Sequence, residues 1–135
     1  MPTVFSRIIN GDIPGTFVYK DEHCVVFMSI NPIANGHVLV VPILEVDHWI
    51  DAPTELVTHM FLVSHRVSRA LHVAFPCERV GLIIAGYEIN HCHIHLVPTN
   101  SLEDMSFSNA AATISRTDLE MHASKISTAL QQIPI

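Results

Sequence analysis

Apolar and polar positions follow a short period in the first third of the chain and a longer one in the middle. Val4, Ile8 and Ile9 suit a short helical turn laid on a core, and Gly11, Pro14 and Gly15 break the chain after it. Residues 16–20 and 24–30 are rich in β-branched and aromatic side chains, which predicts two strands with Asp21-Glu22-His23 as their hairpin loop. Residues 31–36 read as a turn, and 37–41 as a third strand stopped by Pro42. Then Leu56, Met60, Val63, Val67, Ala70 or Leu71, and Ala74 recur every three or four positions, forming one apolar helical stripe with Glu55, His59, Arg66 and Arg69 off it. Asp51 and Pro53 supply a start and Pro76 a stop, so the helix is expected from about 52 to 75. Trp49, just ahead of it, reads as a packing anchor.

Residues 79–86 and 91–97 return to strand character, and 101–115 have little period and read as an irregular connection. Thr117 and Glu120 match a capping box at the head of a last helix over about 117–131, whose stripe is Leu119, Ala123, Ile126 and Leu130. Five strands joined by short loops, one long central helix and a terminal helix predict an α+β fold built on an antiparallel meander.

The chain has 135 residues, room for one domain and a sustainable core. At 49% hydrophobic and 15% charged it is not a disordered chain. No apolar run approaches the roughly 20 residues that cross a bilayer, and the first ten residues lack the form of a secretory signal. A net charge of −6, with seven scattered Lys and Arg, argues against nucleic acid as a main partner, though a small phosphorylated ligand needs only one local site. Cys24, Cys77 and Cys92 are odd in number and far apart, which favours a reducing cytoplasm over a disulfide scaffold. The anomaly is ten histidines.

Three of these lie at alternate positions: His91, His93 and His95, separated by Cys92 and Ile94. In a strand they share one face, with Cys92, Ile94 and Leu96 on the other. Adjacent imidazoles resist being protonated together, so at least one is expected neutral near pH 7 with a free lone pair. Three readings stand. The histidines are a chance run on a half-exposed strand. They ligate a metal, which is awkward because same-face neighbours on one strand lie about 6.5–7 Å apart. Or the middle one attacks phosphorus while its neighbours orient it and stabilise charge.

The segment His91-Cys92-His93-Ile94-His95-Leu96-Val97 resembles the histidine triad motif, His-φ-His-φ-His-φ-φ. Asn10-Gly11-Asp12-Ile13-Pro14, the Phe27 to Pro32 segment FMSINP, Gly36-His37-Val38-Leu39-Val40-Val41-Pro42 and Ala85-Gly86-Tyr87-Glu88-Ile89 are similar, in order, to further segments of the same family. The likeness covers residues 3–100, a histidine triad domain over 1–100. Residues 101–135 carry no signature of it and read as an extension packed on the same domain.

The resemblance implies a five-stranded antiparallel sheet, usually in a homodimer, and hydrolysis or transfer of nucleotides at the α-phosphate. Nucleoside phosphoramidates and dinucleoside polyphosphates are the implied substrate classes. It makes His93 the nucleophile that forms a nucleotidyl-histidine, His91 the carbonyl that holds the other ring nitrogen, His95 a ligand of the α-phosphate oxygens and His37 the fourth active-site histidine. Phe5, Ile8, Ile13, Phe27, Ile30 and Leu39 match positions lining the base site. Ser29 stands where many members hold the ribose with Asp. Tyr87, Val80 and Thr99 also replace polar family residues, which keeps open a nucleotide-binding or signalling module with little catalysis. Many bacterial relatives bind zinc through two cysteines and two histidines; here those positions are Thr3, Ser6, Glu45 and His91, so no structural zinc and no other cofactor is expected. His23, His59, His65, His72 and His122 read as solvated.

Overall fold

The computed structural model describes residues 2–134. A short helix, α1 (Val4–Ile9), opens the chain, with the Thr3 hydroxyl accepting from the Ser6 N–H as its cap. Strands β1 (Phe17–Lys20), β2 (Cys24–Met28) and β3 (Val38–Pro42) follow, then the long helix α2 (Thr54–Ala74), strands β4 (Arg79–Ile83) and β5 (Ile94–Thr99), and helix α3 (Arg116–Gln131). The five strands form one antiparallel sheet in the order β1-β2-β3-β5-β4.

That order departs from the expected meander. The first three strands are sequential neighbours, but α2 carries the chain past the next place to the edge, and β5 returns to fill the gap. The reason is the length of α2. Its 21 residues span about 30 Å, which delivers β4 beyond the position beside β3.

The sheet is covered on both faces. Cys24, Val26, Met28, Val38, Val40, Ile94 and Leu96 meet α2 and α3, with Val67, Leu71 and Ile126 at the centre. Val25, Phe27, Leu39 and Val41 meet Phe5 of α1 on the opposite face. Central strands buried on both sides read as unbroken apolar runs, and β2 and β3 do so.

Three local expectations need correction. Helix α3 is capped by Ser115, whose hydroxyl accepts from the Asp118 N–H, and not by Thr117; Glu120 instead pairs with Arg116 one turn back. The connection 101–115 contains two 3-10 turns, Leu102–Met105 and Phe107–Asn109. Trp49 is 40% exposed and borders a small cleft with Met60, Phe61 and Cys92 instead of anchoring the core.

Candidate functional site

The histidine row enters the sheet late. Only His95 lies in β5; His91 and His93 precede it. The β3–β5 ladder pairs Val38 with Leu96 and Val40 with Ile94, and its continuation would set Pro42 against residue 92. Pro42 has no N–H to give. Its carbonyl is taken by the His91 ring at 2.7 Å, and the Cys92 N–H donates to the Val46 carbonyl at 2.7 Å. The backbone stays extended enough for the alternation to hold. Phe5 meets the His91 and His93 rings edge-on at 5.8 and 4.9 Å, and His93 meets His95 at 4.7 Å. Cys92 and Ile94 turn to the α2 side, beside Met60.

Each ring's proton can be placed from its partners. The Ile33 N–H donates to His37 Nδ1 at 3.0 Å, so the His37 proton is on Nε2. Nε2–H donates to His95 Nδ1 at 3.0 Å, which puts the His95 proton on Nε2. His93 donates Nδ1–H to the His91 carbonyl at 2.8 Å, leaving Nε2 as a lone pair. His91 donates Nε2–H to Pro42 and accepts the Thr3 hydroxyl at Nδ1, 2.7 Å away. His37 and His95 accept at Nδ1, so both rings are neutral, and His93 in its neutral form keeps an unengaged lone pair on Nε2.

The environment favours this state. Burial, and secondarily charge on His93, pushes His37 down to about 4. Burial and the neighbouring rings push His95 down to about 3. Burial lowers His93 against the raising effect of its bond to the His91 carbonyl, and burial also lowers His91. Unfolded imidazoles take up protons near 6.5. Between 6.5 and about 4 the unfolded chain therefore binds more protons than the folded one, and stability falls as pH falls through that window. The urea midpoint is expected to be level near pH 7 and to decline steadily from about 6.5 toward 4, each pH unit of separation at one histidine costing about 1.4 kcal/mol. A midpoint unchanged over that range would contradict the neutral assignment.

His37, His93 and His95 open onto a cavity of about 510 Å³. Phe5, Ile8, Ile13, Phe27, Ser29, Ile30 and Leu39 all line it, with Ile30 at the rim, 68% exposed. His91 does not line it; it lies fully buried beneath Phe5 and supplies its carbonyl. Tyr87 is 94% exposed and, with Val80, lies off the lining, while Glu88 and Ile89 are on it. Thr99 is turned to the Arg79 carbonyl.

Sequence reasoning missed one wall. Asn31 Nδ2 donates to the Ala111 and Ala112 carbonyls, and the Ala111 N–H donates to the Pro32 carbonyl, so the connection before α3 is tied to the β2–β3 turn. Phe107, Ala110, Ala111, Arg116 and Leu119 thus line the cavity, with the Phe107 ring 4.9 Å from that of His95. The signal available was faint: Phe107 is a lone aromatic in a polar stretch without period. Two histidines read as solvated are not. His122 is buried against the edge of Phe75, 5.3 Å away, and His59 is half-buried and bonded to Asp21. His23, His65 and His72 are exposed.

Thr3, Ser6, Glu45 and His91 do come together, as a hydrogen-bonded set. The Thr3 N–H and the Ser6 hydroxyl each donate to Glu45 Oε1 at 2.8 Å, which holds that carboxyl below its usual range. Both His91 nitrogens are engaged, and these positions offer no thiolate. The donor set does not fit structural zinc.

An α+β sheet carrying a row of neutral imidazoles at the mouth of an apolar cavity defines a histidine triad site. The chain belongs to that family: the HIT domain model matches residues 10–102. It is 36% identical over 99 residues to an uncharacterised HIT-like protein of Methanocaldococcus jannaschii, covering 70% of this chain and 77% of that one. It is 31% identical over 100 residues to an adenylylsulfatase of Arabidopsis thaliana, covering 70% of this chain and 51% of that one, about half its length. Among solved structures, a zinc-bound histidine triad protein of Mycobacterium smegmatis superposes with a TM-score of 0.82 at 27% identity, over 96% of this chain and 93% of that one.

Proposed function

We propose that this chain is a hydrolase or transferase acting at the α-phosphate of a nucleotide, on a P–N or P–O–P bond, through a covalent nucleotidyl-His93. One observation carries the reading: His93 lies at a cavity wall with Nδ1 2.8 Å from the His91 carbonyl, which draws the ring proton to Nδ1 and leaves Nε2 free to act as a nucleophile. In the first step the Nε2 lone pair forms a bond to phosphorus and the leaving group departs with the P–N or P–O electron pair. The leaving group takes up a proton from solvent. In the second step water attacks the same phosphorus, gives a proton back to solvent, and His93 leaves with the P–N pair, splitting one hard displacement into two. His95 Nε2–H donates to a phosphoryl oxygen as charge builds there. His37 acts through His95, holding its proton on Nε2. Phe5, Ile8, Ile13, Phe27, Ile30 and Leu39 enclose the base, and Ser29 meets the ribose.

An adenosine phosphoramidate offered to the protein is expected to yield adenosine monophosphate and free amine. Rapid denaturing quench is expected to trap an acid-labile nucleotide on His93. kcat/KM should hold above neutrality and fall on the acid side as His93 takes up its proton, because only the neutral ring is a nucleophile. Binding of nucleoside monophosphate without turnover of any leaving group would overturn the hydrolase reading in favour of a binding module.

We further propose a cytoplasmic homodimer. Among the described residues, Cys24, Cys77 and Cys92 are free thiols, and no helix is long and apolar enough to cross a membrane. β4 stands at a sheet edge, with Leu82 exposed on it and Phe61 and Leu62 exposed on α2. Light scattering at twice the chain mass is the expected result.

A further inference from the structure

On the sheet face opposite α1, three side chains from three elements converge. Asp21 sits in the turn between β1 and β2, Cys24 opens β2, and His59 comes from the second turn of α2. His59 Nε2 lies 2.7 Å from Asp21 Oδ2, and Cys24 Sγ lies 4.0 Å from the same oxygen. The three ligand atoms lie within 4.8 Å of one another. We infer that Asp21, Cys24 and His59 form a site for a single thiophilic divalent cation, zinc-like in preference, separate from the histidine row.

The chemistry of the set selects the ion. A thiolate, an imidazole and a carboxylate suit zinc or cobalt, whereas magnesium and calcium demand oxygen ligands. Bond lengths of about 2.0–2.3 Å in a tetrahedron separate ligand atoms by about 3.3–3.6 Å. The present 2.7 and 4.0 Å bracket that spacing, so shifts of about an ångström or less admit the ion at these two pairs. The carboxylate is already oriented: Oδ1 accepts the His23 and Cys24 N–H groups at 2.8 and 2.9 Å, leaving Oδ2 to face the other two ligands. The Tyr19 hydroxyl donates to Oδ2 at 2.6 Å and can keep that bond from the outer shell.

On binding, the Cys24 thiol releases its proton to solvent. His59, which donates Nε2–H to Asp21 Oδ2 here, gives that proton up to solvent and keeps or takes its ring proton on Nδ1, so the direct His59–Asp21 bond is exchanged for two bonds to the ion. Of the three, His59 lines a groove with Glu22, His23 and Glu55, the side from which an ion would approach, while Cys24 is fully buried behind it. The ion would clip the first half of α2 to the β1–β2 turn.

Cobalt(II) titrated into the full chain at neutral pH tests this. The expected result is a thiolate-to-cobalt charge-transfer band in the near ultraviolet that saturates at one equivalent and is displaced by zinc. Cys24→Ser and His59→Ala should each abolish it, while Cys77→Ser retains it. Zinc affinity should fall in Cys24→Ser by more than the roughly 10–100-fold that an outer-shell loss costs. Thermal stability should rise with zinc in the parent chain and not in His59→Ala, which sits on a half-exposed helix face and preserves the core. A titration without a thiolate band, or a band that survives Cys24→Ser, overturns the assignment.

Discussion

His93→Ala is expected to lower kcat/KM for a nucleoside phosphoramidate by at least about 10⁴-fold, equivalent to about 5.5 kcal/mol of barrier. The reason is the loss of a reaction route. With the imidazole gone there is no nitrogen to take the phosphorus, and water must displace the leaving group directly. The other three rings have committed nitrogens: His37 to Ile33 and His95, His95 Nδ1 to His37, His91 to Thr3 and Pro42. None can substitute. The fold should survive, since His93 contributes one hydrogen bond to a carbonyl and edge contacts to Phe5 and His95. Circular dichroism, turnover and quench-trapping together check this. Turnover by the variant within tenfold of the parent, or a parent chain that traps no adduct on His93, would refute the covalent route. His95→Ala removes a donor and not the nucleophile, so it should cost about 10²–10³-fold in kcat while the adduct still forms. The contrast between the two variants separates bond-making from charge stabilisation.

Gly36→Ala is expected to cost about 2–4 kcal/mol of stability and to weaken catalysis as well. Gly36 has a φ of +92°, a region closed to most L side chains. A methyl there would also lie 2.8 and 2.9 Å from two ring carbons of Phe75 and 3.1 Å from a third. Phe75 closes α2 and packs edge-on against the buried His122, so it has little room to retreat. Strain and overlap therefore add. The next residue is His37, whose N–H closes the turn to the Ala34 carbonyl and whose carbonyl accepts the Ser29 N–H. A shifted turn moves the ring that fixes the His95 proton. Gly11→Ala is the control: its φ is +87°, with nothing within 4 Å of an added methyl, so only the strain remains. Urea denaturation should show Gly36→Ala losing clearly more than Gly11→Ala. Equal losses would mean that Phe75 yields freely.

Much of this protein was legible along the chain. The apolar runs of β2 and β3, the helical stripe from Leu56 to Ala74 and the alternation of His91, His93 and His95 are local patterns, set by the period of side chains about an extended or helical backbone. The cavity residues Phe5, Ile8, Phe27, Ser29 and Leu39 were legible only through the resemblance to the histidine triad family, since local period alone reads the apolar ones as ordinary core. Cap choice was less so. Ser115 and Thr117 both offer a hydroxyl at a helix start, and only the packed position of α3 selects Ser115.

What the sequence by itself determined is the type and face of each element and the shared face of His91, His93 and His95, because these follow from spacing within a few residues. Tertiary structure decided the rest. It inserted β5 between β3 and β4, drew the Phe107 segment over His95, sank His122 beneath Phe75 and brought His59 to Asp21 and Cys24. It also placed every ring proton, through partners as far apart as Thr3 and His91. The pairings of Thr3 with His91, of His37 with His95 and of His59 with Asp21 and Cys24 join residues 35 to 88 positions apart, and their energies depend on distance and burial in space, which no local period encodes.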